Sequence, residues 1–503
     1  MKVKRALLSV SDKTHLLSLA QALIQQNIEL IATSGTAQFL RKAGIPTLET
    51  SELTHFPEIL EGRVKTLHPQ IHAALLFRRK NPQHETEIKQ HGITSIDLVI
   101  VNLYPFEKII RENPDQIDQA IENIDIGGVA LLRSSAKNFQ NVTVISDPAD
   151  YPELIQQLKN QITLEFRKKM AVKAFRLTGH YDASIANYFN QTTTSFPETF
   201  QLNLSNQYPL RYGENPHQKA VFYGDFSPFF TQLQGKELSY NNFLDIQAAL
   251  RLIQEFNPPT VAIFKHTNPC GVGSAKTPLA AWEKAYTTDP QSSFGGIIIL
   301  NRPLDLKTAE HLSSLFCEII LAPDFEKEAM ALLEKKKNLR LLKFNLSVPL
   351  PTEEFRSLFK GILCQEIDSS TSFEANVVTQ RQPTPEEWEA LTFSWKIVKH
   401  VKSNAIVYSA SDRTLGIGAG QMSRVDASKI AIIKAQEAGL SLQNSVIASD
   451  AFFPFPDGVS AAAEAGATAV IQPGGSVRDP EVIEICNHYN LAMVFTEKRH
   501  FRH

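Results

Sequence analysis

Cysteine and tryptophan are the scarcest signals in this chain, with four and three among 503 residues. Cys270, Cys317, Cys364 and Cys486 stand far apart and form no C-x-x-C pair, which excludes a disulfide framework and a zinc knuckle. A reducing, cytoplasmic compartment is the expectation. Long apolar runs are missing as well: no segment approaches the roughly 18 apolar residues of a membrane span. The apolar run in MKVKRALLSV is too short for a signal peptide, so no membrane partner is expected. Nor is one sign of charge in excess, since 51 Lys and Arg face 53 Asp and Glu for a formal net charge of −2. The basic residues are spread along the chain, which excludes an electrostatic footprint for nucleic acid. An anionic partner is then small and locally bound.

What is present is a long α/β pattern. The length suits about three domains. ALLSV (Ala6 to Val10) reads as a buried strand, Leu16, Leu17, Ala20, Leu23 and Ile24 share a helical face, and IELIA begins a second strand. TSGT follows, then the helical AQFLRKAG with Gly44 at its C′ position. LVIVNL and VTVIS add two buried strands, so the first 145 or so residues predict a parallel sheet covered by helices. A polar helical stretch runs from about Tyr151 to Asn190. The Thr-, Ser-, Asn- and Pro-rich segment Gln191 to Pro209 reads as a linker. Beyond it, VAIF, GGIIIL, NAIVYS, SVIAS, ATAVI and LAMVF predict a second α/β region. Lys265-His266 with Asn268 is faintly echoed by Lys399-His400 with Asn404, a short match that arises easily without duplication.

Two loops in the first region suit phosphate. SVSDK puts Ser11, Lys13 and backbone N–H groups at a helix start, and TSGT (Thr33 to Thr36) repeats the arrangement after the next strand. Either loop alone reads more simply as an N-cap. Together with GRVKTLHP, where Arg63 offers a fork and Lys65 a point charge, they favour a phosphate pocket. Tyr104 in NLYPF and DIGGVALLRSSAK, with Asp125 and Lys137 at its ends, supply groups for proton transfer. Gly127 and Gly128 permit either ligand approach or helix packing.

FKHTNPCG (Phe264 to Gly271) is close to a zinc nucleoside-deaminase pattern, H-x-E followed by P-C-x-x-C. Asn268 replaces the glutamate and Gly273 the second cysteine, so a tetrahedral zinc site cannot close locally. Lys265 and His266 remain as an oxyanion stabiliser and a base, the pair that attack of an amine on an acyl carbon requires. A lone Lys-His after a strand is more often structural. IGAGQMSR with Arg424, and ASDAFFPFPDG with its aromatics beside Asp450 and Asp457, suit either core packing or a flat heteroaromatic ligand. A regulatory module similar to the allosteric domain of carbamoyl-phosphate synthetase accounts for SVSDK and TSGT, but it has no use for Tyr104, Lys137 or the second region.

SVSDK, TSGT, GRVKTLHP, NLYPF, DIGGVALLRSSAKN, LRYGENPHQ, FKHTNPCG, SSFGG, SNAIV, GIGAGQMSR, SDAFFPF, QPGGS and the RHFRH tail occur in order from about residue 5 to 503. Together they resemble the bifunctional family that joins AICAR formyltransferase to IMP cyclohydrolase. The resemblance implies a methylglyoxal-synthase-like parallel-sheet domain over 1–145 for the cyclohydrolase, and a helical connection and linker over 146–209. It implies a transformylase region over 210–503, built as two cytidine-deaminase-like subdomains lacking zinc. It also implies 10-formyltetrahydrofolate as co-substrate, no tightly bound cofactor, no catalytic metal, and a homodimer.

For ring closure the resemblance implies Lys65, Tyr104, Asp125 and Lys137, with Lys137 donating and accepting the proton. For the nucleotide it implies Ser11, Asp12, Lys13, Thr33, Ser34, Gly35, Thr36, Arg63, Thr66, Asn102, Gly127 and Gly128. For formyl transfer it implies His266 as proton acceptor, Lys265 on the oxyanion and Asn404 orienting the formyl group or carboxamide. Arg211, Tyr212, Gly295, Glu318, Phe452 and Arg499 would contact AICAR, and Arg424, Asp457, Ser476 and Val477 the folate. At Pro456 this chain departs from the family, whose commoner arginine there has no counterpart.

Overall fold

The computed structural model describes residues 2–190, 196, 198–204, 207–370 and 372–503. The chain divides into two compact units, Met1–Asn203 and Leu204–His503. Part of the expected linker, at 191–195, 197, 205 and 206, lies outside the described residues. Among the described residues no helix is long and apolar enough to cross a membrane.

The first unit is built on a five-stranded sheet of β1 (Arg5–Val10), β2 (Glu29–Ala32), β3 (Leu48–Glu49), β4 (Leu98–Asn102) and β5 (Thr143–Ile145). All neighbours run parallel, in the order β3-β2-β1-β4-β5. Helices cover both faces of such a sheet, so its central strands are apolar throughout, as Ala6, Leu7, Leu8 and Leu98 to Val101 are. The chain reverses its winding between β1 and β4, and that switch point opens a crevice at the carboxyl ends of the strands. Helix α1 (Leu16–Gln25) follows β1 and helix α2 (Ser34–Lys42) follows β2. Gly44, two residues beyond α2, has φ 75°, the expected C′ conformation. The helices Tyr151–Leu158 and Leu164–Asn190 belong to the first unit. Tyr151, Leu154, Phe166, Met170 and Ala174 pack into the same core as the sheet, which extends this unit past residue 145.

The second unit contains two six-stranded sheets. In the first, Asn268–Ser274 pairs with Thr260–Lys265, then come Ile297–Leu300, Ile319–Ala322, Arg340–Phe344 and Phe230–Gln234. In the second, the same order reads Thr414–Gly418, Ile406–Ser409, Ser445–Ser449, Ala467–Gln472, Ala492–Phe495 and Asn376–Val377. Parallel and antiparallel pairings match position by position. The helices Tyr240–Ile253 and Pro385–Val398 open the two halves with capping boxes at Ser239 and Thr384. Their apolar faces share one core with Phe264 and Ile299 of the first sheet and Val407 and Val446 of the second. The region is therefore an internal duplication. Lys399-His400 is not the counterpart of Lys265-His266, because it follows a helix and precedes its strand, whereas Lys265 ends one.

Both halves press a strand onto a helix in the same way. A Cβ on Gly271 or Gly273 would lie 2.0 Å from Ala285 O or 2.5 Å from Ala281 O. On Gly416 or Gly418 it would lie 2.2 Å from Ala431 O or 1.8 Å from Ala427 O. Glycines two apart share one face of a strand and alanines four apart share one face of a helix, so backbone meets backbone. Gly418→Ala is expected to cost about 1–3 kcal/mol or more through overpacking against an unyielding backbone, read as a lower denaturation midpoint. An unchanged midpoint would show that this approach is looser than the geometry states.

Candidate active sites

In the first unit the phosphate-suited loops meet at the switch point. Val10 lies opposite Asn102 at the ends of β1 and β4. Asn102 Oδ1 accepts from the backbone N–H of Ser11 at 2.6 Å and of Asp12 at 2.9 Å, and the Ser11 hydroxyl donates to Leu103 O at 2.9 Å. The Lys13 ammonium donates to Val10 O and lies 3.3 Å from Thr36 Oγ1 at the start of α2. Burial, and next the nearby Lys65 ammonium, push Lys13 below the ordinary lysine value. A cation at this crevice suits an anion. The Asp12 carboxylate accepts from the Thr14 hydroxyl at 2.6 Å and from Thr14 N at 2.8 Å, and these two bonds keep its carboxyl low. Arg63 is exposed and paired with Glu122.

Beside that site Lys65 Nζ lies 3.5 Å from the Tyr104 hydroxyl. Asp125 adjoins them at the start of the helix Gly127–Lys137, and its Oδ1 accepts from Gly128 N at 2.6 Å. Burial raises the Asp125 carboxyl above its ordinary value, while the Gly128 N–H and the Lys65 charge pull the other way. The two glycines are required by contact: a Cβ on Gly127 would lie 2.6 Å from Thr66 Oγ1, and one on Gly128 2.4 Å from Asp125 Oδ2. Thr66, buried, is thereby fixed against the helix start. Lys137 stands exposed at the far end of the same helix, about 15 Å away along its axis at 1.5 Å per residue. Within one chain it does not join Lys65, Tyr104 and Asp125.

In the second unit Lys265 closes a strand and His266-Thr267 form the two-residue turn to Asn268. Both turn residues are left-handed, with φ 55° and 64°. A two-residue hairpin turn requires this conformation at both positions, and non-glycine residues adopt it at some cost. Asp245 supplies the restraint by accepting from Thr267 N at 2.6 Å. Its carboxyl is raised by burial, against the pull of the Thr267 N–H and then of His266 and Lys402. Asn268 Oδ1 accepts from Lys402 N at 2.8 Å and so joins the turn to the loop bearing Asn404. Asn404 donates to Gln421 O at 3.0 Å and accepts from Arg424 at 2.9 Å.

The Lys265 ammonium reaches Phe294 O at 2.9 Å, and Gly295 N donates to Phe316 O at 2.7 Å, which brings Gly295 and the neighbouring Glu318 to the same edge of the sheet. Glu318 pairs with the buried Arg340 at 2.6 Å. A cavity of about 280 Å³ is lined by Lys265, His266, Asn268, Cys270, Asp289 and Lys434, among others.

Phe452, Ser476 and Val477 lie on loops at the carboxyl ends of the second sheet's parallel strands, and Asp457 begins the helix Asp457–Ala465 after one of them; Asn404 shares this edge through the pairing of Ile406 with Ser449. Val477 is fully exposed, and Arg499 stacks over Phe501 at 4.4 Å. Arg211 lies over Tyr212 at 5.3 Å, and Tyr212 O accepts from Tyr240 N at the head of the helix that carries Asp245. Arg424 is buried, and its donors go to Asp450, Ser449, Phe452 O and Asn404.

Comparison with known proteins decides what these two clusters belong to. A profile of the AICARFT/IMPCHase bienzyme matches residues 135–434, and a profile of the MGS-like domain matches residues 15–130. A bifunctional purine biosynthesis protein PurH of Chloroflexus aurantiacus is 55% identical over 100% of this chain and 99% of its own. PurH of Chlorobium phaeovibrioides is 51% identical over the same shares, and PurH of Enterococcus faecalis is 50% identical over 99% of this chain and all of its own. The chain belongs to the AICARFT/IMPCHase bienzyme family.

Several groups in this bienzyme escape a reading of its sequence. Asp245 sits in the unremarkable run NNFLDIQ and gains meaning only by reaching Thr267 from a packed helix. Tyr181 accepts from Asp125 N at 2.8 Å and donates to Asn123 O at 3.0 Å, fixing the Asp125 loop from 56 residues away. Cys270 offers no thiolate, because burial pushes its thiol up to about 12. With an amide at 268 and a glycine wedged against Ala281 at 273, the donor set does not fit zinc.

Proposed function

We infer that the chain carries both activities of its family, AICAR formyltransferase and IMP cyclohydrolase, in purine biosynthesis. A formyl-folate is the co-substrate that a formyltransferase of this family implies. The observation that carries the assignment of residues is the separation of two polar clusters, one in each unit of a chain that matches its relatives from end to end.

In the second unit we place formyl transfer at the Lys265–His266 turn. The 5-amino nitrogen of AICAR attacks the formyl carbon on N10 of 10-formyltetrahydrofolate. His266 takes the proton that the amine loses, and the Lys265 ammonium and Asn404 carboxamide stabilise and orient the tetrahedral oxyanion. The bond to N10 then breaks and N10 takes up a proton. Arg211, Tyr212, Gly295, Glu318, Phe452 and Arg499 are assigned to AICAR, and Asp457, Ser476 and Val477 to the folate. Arg424 serves by holding Asn404.

Ring closure belongs to the first unit. The carboxamide nitrogen of formyl-AICAR attacks the formyl carbon and water leaves. The nucleotide phosphate and ribose are assigned to Ser11, Lys13, Thr33 to Thr36, Thr66 and Asn102. Lys65 and Tyr104 face the developing oxyanion, and Asp125, with its affinity for a proton raised by burial, takes the proton from nitrogen. A homodimer, a cytoplasmic location and freedom from tightly bound cofactors complete the reading. Supplying AICAR and 10-formyltetrahydrofolate to the purified protein is expected to yield IMP. Absence of both formyl-AICAR and IMP would refute the assignment.

A further inference from the structure

Glu58 is an acid among the groups assigned to an anion. Its Oε2 accepts from the Ser34 hydroxyl at 2.6 Å, and its Oε1 lies 3.9 Å from Lys65 Nζ. One carboxylate thus bridges TSGT and GRVKTLHP, two segments that the proposed nucleotide site takes from separate loops. Helix α2, which Ser34 begins, has no acidic residue in its first turn and no side-chain cap from Thr33. Glu58 supplies that negative charge from 24 residues away. The carboxylate also lies against Gly62, where a Cβ would stand 2.6 Å from Oε1.

The pairing is not built for permanence. The Glu58 side chain keeps 30% of its surface in solvent, whereas Asp97, which pairs with Arg79 in the same unit, keeps 3%. Glu58 lies outside any helix or strand, and His55, Leu60, Glu61 and Gly62 around it are left-handed. Such a side chain regains hydration on leaving for water and forfeits one hydrogen bond and a partly screened ion pair.

We propose that Glu58 is a displaceable internal anion: it holds Ser34 and Lys65 in the unliganded enzyme, and the phosphate of the nucleotide must expel it in order to bind. This rests on the reading of the first unit as the nucleotide site. Its consequence is opposite to that of an ordinary structural residue, since removing the charge strengthens binding. Glu58→Gln retains an oxygen for the Ser34 hydroxyl and loses the charge that competes with phosphate.

The test is calorimetric titration of IMP into the full-length enzyme, with melting curves to establish that each variant is folded. E58Q is expected to bind IMP roughly fivefold more tightly, the size of one partly screened charge pair, and the gain should shrink as salt rises. E58A, which also removes the hydrogen bond, should shift affinity in the same direction. If both variants bind IMP as the wild type does, or more weakly, while Lys13→Ala weakens binding, the displacement idea is overturned and the site stands. If Lys13→Ala also leaves IMP binding unchanged, the site reading falls and the proposal with it.

Discussion

Replacing His266 by asparagine lowers formyl transfer by at least about 10²-fold, the ordinary loss on removing a general base, and leaves ring closure of pre-formed formyl-AICAR unaltered. The reacting amine is a poor nucleophile, because its lone pair is delocalised into the imidazole ring and the adjacent carboxamide. Bond formation therefore requires proton removal in the same step. His266 is exposed on the tip of its turn, where it can meet substrate, and Asp245 fixes the neighbouring Thr267. Asparagine is the informative substitution, since position 266 has φ 55° and asparagine tolerates the left-handed region. Loss of rate then reports the imidazole and not the backbone. Lys265→Met should cost a comparable factor by removing charge from the oxyanion. Parallel loss of both activities in a folded H266N enzyme would refute the division of chemistry between the two units.

The parts legible in the sequence are those where local pattern and tertiary role coincide. A parallel sheet buried on both faces produces unbroken apolar runs, so β1, β2, β4 and β5 could be read directly, and the loops after β1 and β2 marked the pocket mouth. The Lys-His pair itself marks His266 as a base, whereas the ring-closure roles of Lys65 and Asp125 come from the resemblance. Contacts made across the chain were invisible, as with Glu58 to Ser34, Tyr181 to Asp125 and Asp245 to Thr267.

The duplication had a readable signal that was not the apparent one. Lys-His recurs by coincidence, whereas G-x-G facing A-x-x-x-A recurs because both halves need backbone to approach backbone. Arg424 shows a further limit: an arginine beside glycines suits a ligand on paper, but a buried aspartate claims it in the fold. Lys137 shows the converse, where a role implied by resemblance meets a helix that carries the residue away from its supposed partners.

Ring closure should fail by about 10²- to 10⁴-fold on Lys65→Met or Asp125→Asn, with formyl-AICAR accumulating when AICAR and formyl-folate are supplied. The Lys65 ammonium lies 3.5 Å from the Tyr104 hydroxyl and its charge pulls the Asp125 carboxyl down, so its loss removes oxyanion stabilisation and shifts the base together. Asp125 permits a sharper test through its raised carboxyl. A carboxyl raised by folding binds its proton more tightly in the native state. Its contribution to stability is then most favourable at low pH and declines as pH rises from the ordinary carboxylate value through the raised one. Asparagine keeps an oxygen for Gly128 N and carries no charge to desolvate. Asp125→Asn should therefore be at least as stable as the wild type at neutral pH, while ring closure is lost. A residue that merely supported the fold would behave in the opposite way, with activity and melting temperature falling together. That outcome, or formyl transfer lost alongside ring closure, would remove Asp125 from the proton-transfer role.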